Sequence, residues 1–452
     1  MVKEEKMAER KFGCTHGRRS LAACLATLAV LGILAAPIAL ADPLTELLQL
    51  SAGDGAAEDH FGVSVATDGD YAIVGAYADD HGGNESVGSA YVYERSGGVW
   101  SQATKLTSSD GAAWDSFGFS VAISGDYAVV GASGDDDAGP SCGSIYVFQR
   151  TGSDWTEVAK LTALDGASGD YFGSSVSISG DYIVVGAYGN DDSGSYSGSA
   201  YVFERSGSDW TEVAKLTAPG AAANDSFGKE VAISGSTLVV GAQGDDDKGS
   251  SSGSVFVYER GTATWGLVSK LTAIDGASND YFGQALSIDA GRLIVGAYGN
   301  SDNGSGSGSA YVFELSAGEW EEIAKLTAPD AAGGDNFGIS VAIVGEYAVV
   351  GAYGHDDNGT DAGVAYLYQR NVLDEWVYVT TFSASDGADG DNFGESVDIS
   401  HGYIVIGAMW HDGLTLLDPG AAYVFFAPEP ATMTLMGLAA LAVLRRRTKR
   451  RT

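Results

Sequence analysis

Clusters of aspartate dominate the residues of this chain that could do chemistry. They stand in Gly- and Ser-rich segments such as Asp135-Asp136-Asp137. Ca²⁺ takes six to eight oxygen ligands from carboxylates, backbone carbonyls and hydroxyls, all of which these segments supply, so the pattern predicts calcium as a candidate cofactor. The alternative is that Asp and Gly only form turns. The candidate ligands are Asp135, Asp136, Asp137, Asp191, Asp192, Asp245, Asp246, Asp247, Asp356 and Asp357.

A second set of aspartates precedes a recurring Phe-Gly pair. One lies two residues before each pair, and we expect it to be structural, holding the chain in an Asx-turn as it enters the next strand. Another lies seven residues before the pair in six of seven copies. The two sets are Asp59, Asp115, Asp170, Asp225, Asp280, Asp335 and Asp391, and Asp54, Asp110, Asp165, Asp275, Asp330 and Asp386.

Histidine and tryptophan depart from the repeat. His355 and His411 occupy one loop position in two copies, and His81 lies two positions further on in another. They suggest a transition-metal or catalytic pocket, against the alternative of solvated loop residues. Trp114 and Trp410 are unique to their copies, and either stack on sugar rings or pack between repeats.

The elements that position these residues come from a repeat of 55 or 56 residues. Seven Phe-Gly pairs mark it, and a Gly-Ala pair follows each after 14 residues, from Gly75 to Gly407. The structural marks are Phe61 and Gly62, Phe117 and Gly118, Phe172 and Gly173, Phe227 and Gly228, Phe282 and Gly283, Phe337 and Gly338, and Phe393 and Gly394.

Each copy contains four β-branched and aromatic runs that predict strands. In the third copy these are roughly 174–179, 182–188, 199–205 and 210–218. The second and third runs are apolar on both faces, as in the blades of a propeller, and the fourth carries a Lys and polar positions, as an exposed edge strand should. The sequence predicts an all-β, seven-bladed β-propeller over 42–427, with repeats beginning near 53, 109, 164, 219, 274, 329 and 385.

The seventh copy lacks a fourth strand. Residues 45–52 match the fourth-strand pattern of 156–163, so we expect the N-terminal strand to close the ring. Strand order places the loops after the second and fourth strands on one face. That face should carry a ring of carboxylates.

The Phe-Gly and Gly-Ala marks and their spacing resemble the FG-GAP repeats of the integrin α-subunit head, over about 43–426. The resemblance implies the propeller fold and an adhesion-like role. The family's calcium loop joins the first two strands, but here that turn is only Ser179-Gly180-Asp181 and its equivalents. The family's calcium site is therefore not expected.

The two ends read as sorting signals. Arg18-Arg19, an apolar run over 21–40 and Ala39-Leu40-Ala41 predict a signal peptide over 1–41, with the general secretory route preferred and the twin-arginine route as the alternative. Cys24 lies at the start of the apolar run rather than after it, which argues against a lipoprotein.

The C-terminal segment 428–452 resembles a PEP-CTERM sorting tail. Pro428-Glu429-Pro430 leads into an apolar stretch over 431–444 and a basic end. About 14 helical residues rise only ~21 Å, short of the ~30 Å hydrocarbon core, which favours a transient stop over a plain tail anchor. The resemblance implies processing by an exosortase-type protease and export to the cell envelope surface or extracellular matrix of a Gram-negative bacterium, with membrane contact only through signal and tail.

Charge and motifs bound the function. Residues 42–427 hold 13 basic and 56 acidic side chains, a net of about −43, which repels nucleic acid and favours cationic protein or glycan partners. Cys142 is the one cysteine there and we expect it to be inert. Neither a His-Glu-x-x-His zinc motif nor a phosphate loop is present, and beyond the histidines the repeats offer no asymmetric cluster of acid, base and charge stabiliser, so we expect a non-enzymatic surface module binding an unknown protein or glycan. The alternative is a propeller enzyme, a polysaccharide lyase or hydrolase.

Overall fold

The computed structural model describes residues 45–262, 264–413 and 416–427. The predicted signal peptide, the tail from Pro428 and its apolar stretch lie outside them. The described residues form strands and no helix, arranged as seven four-stranded antiparallel sheets. None of their elements is a helix able to cross a membrane.

Six sheets are built from four consecutive strands. The strands, grouped in chain order, are β1 (Glu46–Leu50); β2 (Phe61–Asp68), β3 (Tyr71–Ala76), β4 (Ser89–Ser96) and β5 (Val99–Leu106); β6 (Phe117–Ser124), β7 (Tyr127–Ala132), β8 (Ser144–Thr151) and β9 (Asp154–Leu161); β10 (Ser175–Ser179), β11 (Tyr182–Ala187), β12 (Ser199–Ser206) and β13 (Asp209–Leu216); β14 (Phe227–Ser234), β15 (Thr237–Ala242), β16 (Ser254–Arg260) and β17 (Trp265–Leu271); β18 (Leu286–Asp289), β19 (Arg292–Ala297), β20 (Ser309–Ser316) and β21 (Glu319–Leu326); β22 (Val341–Val344), β23 (Tyr347–Ala352), β24 (Val364–Arg370) and β25 (Trp376–Phe382); β26 (Ser396–Ser400), β27 (Tyr403–Ala408) and β28 (Ala421–Phe426).

The seventh sheet combines both ends of the described chain. Its strand order is β1, β28, β27, β26, and Gln49 of β1 lies opposite Tyr423 of β28. The first strand of blade one, β2, packs against β26 and β27 of this blade. The seven sheets are the blades of a propeller, as the repeats predict.

The hydrophobic core lies between neighbouring blades. One buried cluster, for example, joins Val184 and Val202 of blade three to Phe227 and Val240 of blade four. Each Phe of a Phe-Gly pair is fully buried. Phe227 meets the Phe256 ring edge-on at 5.3 Å, an arrangement that the ring quadrupoles favour.

The glycine marks are explained by the contact between blades. Gly186, in the Gly-Ala pair of blade three, lies against the backbone carbonyl of Gly228 in blade four, and an added Cβ would overlap that oxygen. Gly228 itself has a φ of +86°, which favours glycine. The same overlap holds for the Gly-Ala glycine of every blade. The glycines of the Phe-Gly and Gly-Ala pairs are therefore required for neighbouring blades to approach this closely.

Candidate functional site

The aspartate-rich loops share one face, as strand order predicts. In every blade the backbone N–H of the Phe-Gly phenylalanine donates to a carbonyl of the preceding blade, in the loop between that blade's second and third strands. Phe172, for example, donates to Cys142 at 3.0 Å. We call this surface the loop face. It comprises 51–60, 77–88, 107–116, 133–143, 162–174, 188–198, 217–226, 243–253, 272–285, 298–308, 327–340, 353–363, 383–395, 409–413 and 416–420.

The middle aspartate of each predicted calcium loop holds its own loop. Asp136 accepts the backbone N–H of Ser141 at 2.6 Å, and Asp246 accepts that of Ser251 at 2.7 Å. Asp191 and Asp356 likewise each accept the backbone N–H of the residue five positions later in the chain. These side chains are exposed, and one oxygen of each supports a turn.

The flanking aspartates of the loops converge on a lysine from the fourth strand. In blade three the Lys215 amine lies 2.7 Å from Asp165 and 2.5 Å from Asp192. Tyr201 donates to the other oxygen of Asp165 at 2.9 Å. The amine also lies 5.3 Å from the centre of the Tyr201 ring, a cation–π contact. We call this arrangement the lysine corner.

The lysine corner recurs in five blades. In blade two the Lys160 amine reaches three carboxylates, Asp110, Asp135 and Asp137, at 2.6 to 2.8 Å. In blade four Gly220 replaces the interblade aspartate and Phe256 replaces the tyrosine that would donate to it, while Lys270 keeps Asp245 and Asp247. The five lysines are Lys105, Lys160, Lys215, Lys270 and Lys325.

The lysine corners change the pKa values of the aspartates that they contain. Partial burial alone would raise the pKa of Asp165, but the hydrogen bonds from Lys215 and Tyr201 outweigh it and lower that pKa. Five of the ten predicted calcium ligands, namely Asp135, Asp137, Asp192, Asp245 and Asp247, thus already face an ammonium group. Calcium binding by these loops stays a prediction.

The aspartates two residues before each Phe-Gly pair are buried and bonded to backbone. Asp115 accepts the N–H of Ala112 at 2.7 Å, and each of the other six accepts the N–H three residues before it. The bond runs back to the preceding turn rather than forward as in an Asx-turn. Burial raises the pKa of Asp115 to about 6, against the opposing effect of this bond.

The three loop histidines each bond within their own blade. His81 bonds the Gly88 carbonyl at 3.0 Å. His411 Nδ1 lies 3.0 Å from Asp391; burial opposes its charge, but this carboxylate outweighs the burial and raises its pKa. Among the described residues, one group of three metal-ligating side chains has its ligand atoms within 4.8 Å, namely Asp330, His355 and Asp357 in blade six.

The central channel holds charged residues that we did not predict. A cavity of about 430 Å³ runs along the first strands of the blades and is lined mainly by serines and apolar residues, together with the charged Lys229, Glu230, Glu395 and Asp398. Burial raises the pKa of Glu230 and of Glu395 to about 7, although Lys229 opposes the shift. Burial lowers the pKa of Lys229.

Aromatic side chains of the loop face contact one another and, through Tyr188, the channel residue Lys229. Tyr171 stacks on Tyr188 with ring centres 5.2 Å apart, and Lys229 lies 4.8 Å over the Tyr188 ring. Trp410 packs edge-on against His60 at 4.3 Å, whereas Trp114 is 62% exposed. Of the two tryptophans, Trp410 is thus engaged with a neighbouring blade.

Aligning the seven copies would have revealed the channel residues. The position two residues after the Phe is charged in only two of the copies, as Lys229 and Glu395. The lysine corners had a signal as well, since the fourth-strand Lys recurs. We interpreted that Lys as part of an exposed edge, but its side chain is only 20 to 28% exposed and its amine pairs with carboxylates.

Cys142 is buried, and burial raises the pKa of its thiol, which disfavours the nucleophilic thiolate.

Comparison with known proteins bears on both the ring and the tail. The FG-GAP repeat family matches seven segments, 44–93, 100–148, 155–203, 210–258, 265–313, 320–368 and 376–425. The PEP-CTERM protein-sorting motif matches 427–451. No curated protein matches the chain significantly. This sorting motif marks proteins exported to the envelope surface of Gram-negative bacteria and implies processing by exosortase-type machinery. With seven repeats spanning most of its length, the chain belongs to the FG-GAP repeat family and carries a PEP-CTERM sorting signal.

Proposed function

We propose that this exported protein is a non-enzymatic binding module that recognises a cationic protein or glycan through its loop face. The supporting observation is the excess of exposed carboxylate there. The middle aspartates, such as Asp136, Asp191 and Asp246, use one oxygen for their loops and pair with no lysine among the described residues. A concentrated negative field accelerates the approach of a positively charged partner.

The test compares charge removal on the two faces of the disc. Asp136, Asp191 and Asp246 are changed together to Asn, which keeps an oxygen for the backbone bond. The matched control changes Asp70, Asp126 and Asp181 to Asn in the short turns of the opposite face, where each pairs with an arginine. Both variants lose three negative charges.

The readout is adhesion of the exported protein to surfaces coated with polylysine or polyglutamate at fixed ionic strength. We expect the loop-face variant to adhere several-fold less to polylysine and the control variant to adhere as the wild type does. Equal losses would mean that net charge alone governs adhesion. That result would contradict recognition by the loop face.

A second candidate is an enzyme acting on polysaccharide, because the channel holds three carboxyl groups, those of Glu230, Glu395 and Asp398, and the Lys229 amine. Glycoside hydrolysis uses two carboxyls, one protonated and one ionised. Raised pKa values in Glu230 and Glu395 favour such a division near neutral pH. Incubation with a panel of neutral and uronate polysaccharides, followed by size analysis, decides between the two. Chain cleavage that is lost in both Glu230→Gln and Glu395→Gln would establish the enzyme and overturn the binding proposal.

A further inference from the structure

The lysine corner is filled in all blades but the sixth. The residue opposite the corner tyrosine is Lys105, Lys160, Lys215 or Lys325 in four blades, and in blade four Lys270 lies opposite Phe256. In blade seven Gln49 takes the place, and its amide bonds Asp386 at 3.2 Å and Tyr423 at 3.1 Å. In blade six the residue opposite Tyr366 is Thr381.

Thr381 cannot fill the corner. Its hydroxyl oxygen stands three atoms closer to the main chain than a lysine amine does, and it bonds Tyr378 at 2.9 Å. The rest of the corner is nevertheless in place. Tyr366 donates to Asp330 at 2.8 Å, as Tyr201 does to Asp165 in blade three. Asp330 and Asp357 therefore retain the positions whose equivalents hold an ammonium in blades three and five.

His355 holds the first loop position beside this corner. It is 95% buried, and its Nε2 makes no hydrogen bond to another described residue; the nearest carboxylate oxygen, on Asp330, lies 3.8 Å away. Nδ1 accepts the backbone N–H of Asp357 at 3.2 Å, in the role that Asn190 and Asn300 play in blades three and five. His355 thus takes the place of the uncharged Asn190 and Asn300, whose blades hold a lysine in the corner.

We propose that the vacant corner of blade six binds the ε-ammonium of a lysine on a partner protein. The inference rests on the proposed function and names the chemistry that the loop face recognises. The molecule itself shows the fit five times, with amines 2.5 to 2.8 Å from the equivalent carboxylates and 5.2 to 5.3 Å from the centre of the equivalent ring. Asp330 is about half exposed and Asp357 is exposed, so an incoming side chain can reach them.

The shape of the five lysine side chains that fill the other corners favours a lysine over other cations. Each reaches the corner on a flexible four-carbon stem and leaves its amine among carboxylates. A guanidinium is planar and larger, and an amino sugar carries its ammonium directly on a rigid ring. The test compares these cations with one another.

The decisive variant is Thr381→Lys, which fills the corner from within as in the other five blades. Gln49→Lys is the matched control, because it adds the same charge to the corresponding position of blade seven without filling the vacancy. The probe is a fluorescent, N-acetylated tetralysine amide, and its ε-acetylated counterpart lacks the ammonium groups. Binding to the exported protein is measured by anisotropy at fixed ionic strength.

We expect the wild type to bind tetralysine, Thr381→Lys to bind about tenfold more weakly, and Gln49→Lys to stay within about twofold of the wild type. Asp330→Asn, which keeps an acceptor for Tyr366, should weaken binding as Thr381→Lys does. A higher Tm of Thr381→Lys would show that the new amine is accommodated in the fold.

Four results would overturn the site. Equal binding by the wild type and Thr381→Lys, or equal losses in Thr381→Lys and Gln49→Lys, would mean attraction to the whole face, and would leave the proposed function standing. Displacement of tetralysine by micromolar Zn²⁺ would assign Asp330, His355 and Asp357 to a metal instead. If a glucosamine tetramer or tetra-arginine binds more tightly than tetralysine, and Thr381→Lys weakens that binding, the occupant is an amino sugar or an arginine rather than a lysine.

Discussion

Replacing Gly186 by Ala tests whether the Gly-Ala mark is a spacing requirement between blades. The new Cβ would overlap the carbonyl oxygen of Gly228, which is backbone and cannot rotate away. Blade four must therefore move outward, or β11 must leave its register with β10 and β12. Overpacking a core usually costs about 1–3 kcal/mol, and because the obstacle is main chain we expect the upper end, ~3 kcal/mol.

The control is Gly266→Ala in β17. No atom outside its chain neighbours lies within 4 Å of the added Cβ, and its φ is not positive. Since alanine restricts the unfolded chain more than glycine does, this substitution should be neutral or stabilise by up to about 1 kcal/mol.

Thermal and urea unfolding of both variants, followed by circular dichroism, provide the measurement. With an unfolding entropy of about 2.1 cal/mol/K per residue, a ring of about 380 residues should lose roughly 4 °C in Tm for ~3 kcal/mol. If Gly186→Ala melts within a degree of the wild type, the blades tolerate an extra carbon at the contact. The glycine would then have to be explained by something other than blade spacing.

Deleting 42–52 removes β1 and exposes the backbone edge of β28, so calorimetry should show a much lower Tm; an unchanged melt would mean that β1 adds nothing to the ring. Mass analysis of the exported protein should place its C-terminus near Pro428, and an intact Arg450 would contradict removal of the tail. Because folding raises the pKa of Glu230 and Glu395 from 4.5 to about 7, the folded state binds protons more readily than the unfolded state, and this stability is lost as pH rises through 7. The urea midpoint should therefore be higher at pH 5 than at pH 8, and Glu395→Gln should reduce the difference; an equal pH dependence in that variant would refute the assignment.

The sequence was sufficient to predict the propeller because the same strand pattern recurs in every repeat. The strands expected at 174–179 and 199–205 are Ser175–Ser179 and Ser199–Ser206 in the structure. Apolar runs bounded by Gly and Asp set these limits locally, so each copy reports on the others. The shared face of the loops followed from strand order alone.

The lysine corners needed information that is not local. Lys215 is 50 residues from Asp165 and 23 from Asp192. Only the register of β12 with β13, which places Tyr201 opposite Lys215, brings the three groups together. A lysine on an outer strand is usually solvated, so its type and position predicted exposure rather than an ion pair with two carboxylates.

The channel charges escaped prediction for a different reason. Glu230 and Lys229 are adjacent in β14, and in a flat sheet their side chains would point to opposite faces. Here both residues line the cavity. The register of β14 with β15 is irregular between Phe227 and Val231, so simple alternation does not describe this segment.

The internal repeats also act as an alignment that shows which residues depend on one another. Where blade four loses the interblade aspartate at Gly220, it also loses the tyrosine hydroxyl, at Phe256, that would have donated to it. A buried hydroxyl without an acceptor is unfavourable, so the two changes belong together physically.

Blade six also departs at linked positions, but in another way. It keeps Tyr366 and Asp330 bonded to each other, and replaces both the lysine, by Thr381, and the first loop residue, by His355. If the lysine were simply lost, the two carboxylates would repel each other without a cation between them. Loss of one aspartate would relieve that repulsion, yet blade six keeps both. Retention of both acids with an altered loop is what a corner needs if its cation comes from another molecule.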